Sequence, residues 1–193
     1  LFRVILLNNL IEKLLCALNS VSDEQDSTAA IALLLRPVDD DVEILFVKRV
    51  RNPQDPWSGQ IALPGGKRDP GDCTLRETVT REIKEEVGIA LDECQLLGVL
   101  KAIVSAPRPE MKILPFVIYC GHEPLITLNE KELEGFFWVS LKELVRHKGT
   151  VTFWFGEFPA YVLEENVIWG LTFRIVEMVV CILNGKGYEE QGF

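Results

Sequence analysis

Apolar positions recur along the chain at two spacings, and the changes from one to the other divide it into elements. In residues 2–18, Val4, Leu7, Ile11, Leu14, Leu15 and Leu18 repeat at helical spacing, which predicts a helix with one strongly apolar face. Glu12 and Lys13 interrupt it, the run is too broken for a membrane span, and no small-residue cleavage site follows. A packing helix is therefore expected rather than a targeting segment. After a polar linker at 20–27, the apolar runs 28–35 and 42–49 read as two strands joined by the turn Pro37-Val38-Asp39-Asp40-Asp41. The turn aspartates lack the ligand spacing and closing glutamate of a calcium loop, so they are read as solvated.

Residues 52–59, with Pro53, Pro56 and Trp57, form a loop that leads into a short strand at 60–63. Leu75, Val79, Ile83 and Val87 then return to helical spacing. Thr74 with Glu77 three residues later is a capping-box start, and Gly88 supplies the stop, so a helix is predicted over 73–87. Strands follow at 95–104 and 111–120 around the loop Ser105 to Glu110. A further strand is predicted at 135–139, and a short helix opens at 140–144. A hairpin-like pair at 151–155 and 158–163 turns at Gly156-Glu157, and an apolar helix covers 167–183. Strands mixed with helices in this order predict an α/β fold. One domain over 28–193, preceded by the packing helix and linker of 1–27, accounts for the 193 residues.

Composition narrows the partners. The chain is 48% hydrophobic and 25% charged, an ordinary globular balance. Its net charge of −9, from 29 acidic against 20 basic residues, repels polyphosphate backbones, so no general nucleic-acid binding is expected. A small anionic substrate is compatible with that field where a bound cation reverses it locally. Cys16, Cys73, Cys94, Cys120 and Cys181 are scattered, without CxxC pairs or nearby histidines. They indicate neither a zinc site nor a disulfide framework, and as reduced thiols they favour the cytoplasm. His122 and His147 pair with no serine or cysteine at a recognisable spacing, which argues against a nucleophilic triad.

The chemistry concentrates in the helix at 73–87. Glu82, Glu85 and Glu86 stand at i, i+3 and i+4, so one helix face gathers all their carboxylates. Like charges at this spacing cost the helix a few tenths of a kcal/mol per pair, a penalty that a multivalent cation removes. Magnesium is the natural candidate, with manganese an alternative, because hard cations join carboxylates to substrate phosphates. Acidic residues on a helix are in most cases only a solvated face. Here Arg81 stands beside the cluster, Gly65 and Gly66 precede it where a backbone carbonyl could approach a metal, and Asp72 lies near the helix start.

Arg81-Glu82-Ile83-Lys84-Glu85-Glu86-Val87-Gly88-Ile89 resembles the second half of the Nudix box at every fixed position. In the first half the family places five residues between the glycine and a glutamate, and seven between that glutamate and the arginine. This chain has five residues between Gly66 and Asp72 and eight between Asp72 and Arg81. The extra residue resembles the coenzyme A pyrophosphatase branch, as do Gly59-Gln60-Ile61-Ala62-Leu63-Pro64-Gly65-Gly66 and the closing Trp169-Gly170-Leu171-Thr172. Asp55 stands where that branch carries an arginine.

The resemblance implies a Nudix-type α/β/α sandwich around a mixed β-sheet. It also implies hydrolysis of a nucleoside diphosphate linked to another group, possible substrates being coenzyme A or a derivative. ADP-ribose or dinucleotide cleavage is the alternative, with a non-hydrolytic ligand sensor or an isomerase on the same fold as rivals. Within it, Glu82, Glu85 and Glu86 with the Gly66 carbonyl would hold the metal, and Arg81 would orient Glu85. Arg81, Glu82 and Glu85 are thus the catalytic candidates. Asp72 would steady the loop or the helix start. Arg49, Trp57 and Lys67 are the substrate-binding candidates. A further acid could come from Glu130, Glu132 or Glu134, and Trp169 is expected as a core or dimer anchor. The partner is a small nucleotide-type substrate with no membrane, and the apolar terminal helices permit a homodimer.

Overall fold

A computed structural model describes residues 2–20, 26–52 and 58–185 of the chain. Trp57, Asp55 and most of the 20–27 linker lie outside the described residues. The molecule is built on an eight-stranded mixed sheet. Its central strands are β1 (Ala29–Val38), β2 (Asp41–Arg49), β3 (Ile61–Ala62), β5 (Cys94–Val99) and β7 (Arg108–Cys120), side by side in the order β3-β2-β1-β7-β5. β1 runs parallel to β7 and antiparallel to β2. The remaining members, β4 (Gly65–Lys67), β6 (Ile103–Ser105) and β8 (Leu133–Ser140), pair with β1, β7 and β2 respectively.

The unbroken apolar run of β1 follows from burial on both faces of the sheet. Ile31, Leu33 and Leu35 enter one core and Ala30, Ala32 and Leu34 the other, as a period of two requires. The second core is closed by α2 (Leu75–Val87) through Leu75, Val79, Ile83 and Val87. The first is closed by α4 (Gly170–Leu183), and by α1 (Phe2–Ala17), whose Leu14 is fully buried. Helices thus cover both faces in an α/β/α sandwich. Among the described residues no helix is long and apolar enough to cross a membrane.

A smaller three-stranded sheet, β9 (Lys148–Phe153), β10 (Gly156–Leu163) and β11 (Asn166–Trp169), precedes α4. The expectation of one helix over 167–183 is corrected here. Residues 167–169 pair with β10, and Gly170, at φ 61°, turns the chain into the helix. The strand expected at 95–104 is also divided, into β5 and β6, because each pairs with a different stretch of β7.

Two further expectations fail because partners come from far along the chain. Asp41 is buried rather than solvated. Its carboxylate accepts from the backbone N–H groups of Val42 and, at 3.0 Å, Lys142, in the first turn of α3 (Leu141–Arg146). Cys94 and Cys120 are not free thiols. The register of β5 on β7 sets them opposite one another, and they form a disulfide. The reduced-thiol argument for a cytoplasmic location therefore does not hold.

Candidate active site

The segment before α2 is fixed by backbone geometry. β4 lies against the start of β1, and Gly65 adopts φ 140°, which disfavours a side chain. A Cβ there would stand 2.4 Å from the Ala30 carbonyl oxygen. A Cβ on Gly66 would stand 2.5 Å from the carboxyl carbon of Glu82. The two glycines therefore let the main chain lie directly against β1 and the acidic face of α2.

α2 is capped at both ends. The Glu77 N–H donates to Thr74 Oγ1 at 3.2 Å, while the Glu77 carboxylate accepts from the Cys73 N–H at 2.6 Å. Gly88 closes the helix in the left-handed conformation, with its N–H on the Lys84 carbonyl. This fixes the direction of the carboxylates.

Arg81 connects them. Its guanidinium donates to both Asp72 carboxylate oxygens, at 3.2 and 2.9 Å, to Glu82 Oε1 at 2.9 Å, to Glu85 Oε2 at 3.0 Å and to the Lys67 carbonyl at 3.1 Å. Hydrogen bonds from Arg81 and then the Asp69 N–H hold the Asp72 carboxyl well below the usual carboxylate range, and Asp72 in turn raises Arg81. Glu85 is the more open carboxylate, its side chain 56% exposed against 15% for Glu82.

Glu86 is the most buried of the three, 3% exposed, and accepts the Gly65 N–H at 2.8 Å. Burial pushes its pKa up to about 7; the Gly65 hydrogen bond opposes that rise and the Glu82 charge adds to it. Burial also raises Glu82, with Arg81 opposing. Such a set of mutually repelling, partly desolvated oxygens suits a hard divalent cation. Among the described residues no three such side chains are already gathered as a metal-binding set. Glu85 is turned to Arg81 and Glu86 to Gly65.

Glu82 and Glu86 line a cavity of about 570 Å³ together with Gly65, Gly66, Arg49 and Lys67, whereas Glu85 and Arg81 lie outside its wall. Of the candidate loop acids, Glu132 lines it too, with its carboxylate accepting from Asn129 Nδ2 at 3.0 Å, and its charge raises both Glu82 and Glu86. Glu134 is instead paired with Lys48 at 2.9 Å. Sequence reasoning missed the remaining wall: Phe158 and Pro159 of β10, Trp169, and the first turn of α4 with Arg174 also face the cavity. No local pattern connects them to α2. A second cavity, about 480 Å³, lies between α1, α3 and α4 and contains none of the α2 carboxylates.

Residues 26–158 match the NUDIX domain family. Nudix hydrolase 3 of Caenorhabditis elegans is 29% identical over 192 residues, 88% of this chain and 79% of the relative. A mitochondrial coenzyme A diphosphatase of Mus musculus is 29% identical over 140 residues, 68% of this chain and 66% of the relative. Among solved structures, a MutT/nudix family protein from Enterococcus faecalis superposes with a TM-score of 0.52 at 18% identity. It covers 84% of this chain and 62% of the other.

Proposed function

The chain belongs to the Nudix family of hydrolases, and from that premise we propose that it cleaves the diphosphate bond of coenzyme A or a derivative with magnesium bound, manganese serving as a substitute. The observation that carries this reading is the meeting of Glu82, Glu86, Glu132, Arg49 and Lys67 around one cavity. The mammalian coenzyme A diphosphatase among its relatives supports the choice of substrate.

Glu82, Glu85 and Glu86, with the Gly66 carbonyl, are the groups that would hold the cation. When bound, magnesium would neutralise phosphate oxygens and lower the pKa of a ligated water. The chain's own residues do the rest. Arg81 holds Glu82 and Glu85 at defined positions and is itself locked by Asp72, so the carboxylates need little reorganisation during the reaction. Arg49 and Lys67 place positive charge where diphosphate oxygens enter. Glu132, held by Asn129, takes the proton of the attacking water. Water attacks phosphorus, the bridging oxygen leaves with one phosphate-bearing fragment, and the other fragment keeps the new P–O bond.

The test incubates the protein and Glu85→Gln with magnesium and coenzyme A, ADP-ribose, dinucleotides and nucleoside triphosphates, reading products by mass. Cleavage of coenzyme A to 3′,5′-ADP and phosphopantetheine, absent in the variant, is expected. Splitting of ADP-ribose or a dinucleotide alone would replace the substrate, and no cleavage at all would favour a ligand sensor.

A further inference from the structure

The cavity has two chemically different parts. The part next to α2 is charged. The rest is mostly apolar, with Phe158, Trp169, Leu171, Pro107 and Met111 in its wall; Gln60, Thr172 and Arg174 are its polar side chains among the described residues. Phe158 and Trp169 are half-buried with ring centroids 5.7 Å apart, and Phe153 and Phe155 back them, with centroids 4.5 and 6.3 Å from Trp169. The Phe158 and Trp169 planes are tilted 54° to one another, so this packed cluster offers a planar ligand one ring face to stack on and the second ring against its edge.

This wall is also tied to the reactive end. Thr172 Oγ1 donates to the Ile61 carbonyl at 3.2 Å, fixing the start of α4 to β3, which Leu63 and Pro64 join to Gly65 and Gly66. Trp169 and Leu171 lie beyond residue 158, where the match to the family domain ends. They lie outside the α2 segment that carries the hydrolytic carboxylates, so they can shape the substrate site without touching those groups.

Resting on the hydrolase reading above, we infer that Phe158 and Trp169 form the platform on which the nucleobase of the substrate stacks. A base offers a large apolar π-face to such rings. Of the polar side chains in this part, Thr172 already donates to the Ile61 carbonyl, so the face that Phe158 and Trp169 present suits the π-surface of a base better than a sugar or a further phosphate, which would seek Gln60 or Arg174 instead. The platform is thus a specificity determinant that selects for the base and leaves the reacting diphosphate to α2.

The experiment compares binding of AMP with binding of ribose 5-phosphate by titration calorimetry in magnesium. Neither ligand has a diphosphate bond to cleave, so the readout does not depend on turnover. The intact protein should bind AMP more tightly than ribose 5-phosphate. Phe158→Leu should weaken AMP about tenfold and leave ribose 5-phosphate within about twofold. Trp169→Phe, which keeps a ring, should give a smaller loss of the same kind, with thermal melts confirming that both variants fold. Equal affinity of the intact protein for the two ligands, or equal weakening of both in Phe158→Leu, overturns the platform. If the protein cleaves the substrate panel while Phe158→Leu leaves AMP unaffected, the platform alone falls. If nothing is cleaved but the base-dependent difference holds, the platform stands and the hydrolase reading falls.

Discussion

Arg81 grips Asp72 through two hydrogen bonds, Nε to Oδ1 at 3.2 Å and Nη2 to Oδ2 at 2.9 Å. Asp72 is one methylene shorter than the glutamate of the family pattern, and the chain between it and Arg81 is one residue longer. The pair still closes, because the Asp69 N–H donates to Asp72 Oδ2 and the Asp72 N–H to the Asp69 carbonyl, folding the loop under the guanidinium. Lysine cannot reproduce this fork. Arg81→Lys should keep the fold and lower kcat by about 10–100-fold, the range found when groups that orient metal ligands are replaced. Steady-state kinetics on Arg81→Lys, Asp72→Asn and the double variant provide the check. The losses should be strongly non-additive, and simple additivity would show that the two residues act separately.

The same pair predicts a pH dependence. The folded-state pKa of Asp72 is depressed by Arg81 and the Asp69 N–H. Its contribution to stability is therefore fully present above the unfolded carboxyl pKa of about 3.9 and is lost as pH falls through the lower folded value. The urea midpoint of the intact protein should drop between about pH 5 and pH 2, and Asp72→Asn should show a smaller drop over that window. Parallel acid limbs in the two proteins would remove Asp72 from the account.

Much of this was legible in the sequence, for a physical reason: its determinants are local. Thr74, Glu77 and Gly88 define α2 through hydrogen bonds within a few residues. The two-faced burial of β1 shows as an unbroken apolar run. What the sequence concealed depends on strand register. Cys94 meets Cys120 only because β5 pairs with β7 in one alignment. Asp41 caps α3 across 101 positions. Residues 167–169 have an apolar character compatible with either a strand or a helix, and β10 decides between them. The aromatic wall of the cavity is of this second kind, so Trp169 could be read from sequence only as an anchor.

The two glycines before α2 should separate stability from activity. At Gly65 a methyl group meets the backbone of the central strand at 2.4 Å and also requires a φ of 140°. Gly65→Ala should lose at least about 1–3 kcal/mol from the dihedral alone, visible as a large fall in Tm. At Gly66 the obstruction, at 2.5 Å, is the Glu82 carboxyl group, which can swing away. Gly66→Ala should melt close to the parent yet lose most of its activity. Similar Tm losses in the two variants would contradict this division.

Glu177 offers a test of how α4 is held. Its buried carboxylate accepts from the fully buried Tyr161 hydroxyl and from Lys148 Nζ. The small sheet and α4 are thereby joined through one charged group. Tyr161→Phe leaves that carboxylate short of a donor and should cost about 1.5–3 kcal/mol, the range for hydrogen bonds to charged groups. Chemical denaturation reads this directly. Tyr161→Leu, which also removes ring packing on Phe173 at 4.9 Å, should lose more.

Glu86 should trade stability for function. Its carboxylate is 3% exposed and receives the Gly65 N–H, yet burial and the Glu82 charge lift its pKa to about 7 from 4.5. A folded-state value above the unfolded one means that ionisation destabilises the fold as pH rises from about 4.5 through about 7. At pH 8, without metal, this corresponds to about 3 kcal/mol. Glu86→Gln keeps an acceptor for the Gly65 N–H and removes the buried charge, so its metal-free Tm at pH 8 should exceed that of the parent. Magnesium, by binding the folded state, should raise the parent Tm with concentration, and the raised Tm should be much smaller in Glu86→Gln. Turnover should be lost in the variant although its fold is the more stable. Melting curves at pH 8 in chelator and in graded magnesium, with activity measured on the same samples, decide the matter. A variant less stable than its parent without metal, or one with an unchanged magnesium response, would mean that the Glu86 charge is not what the cation offsets.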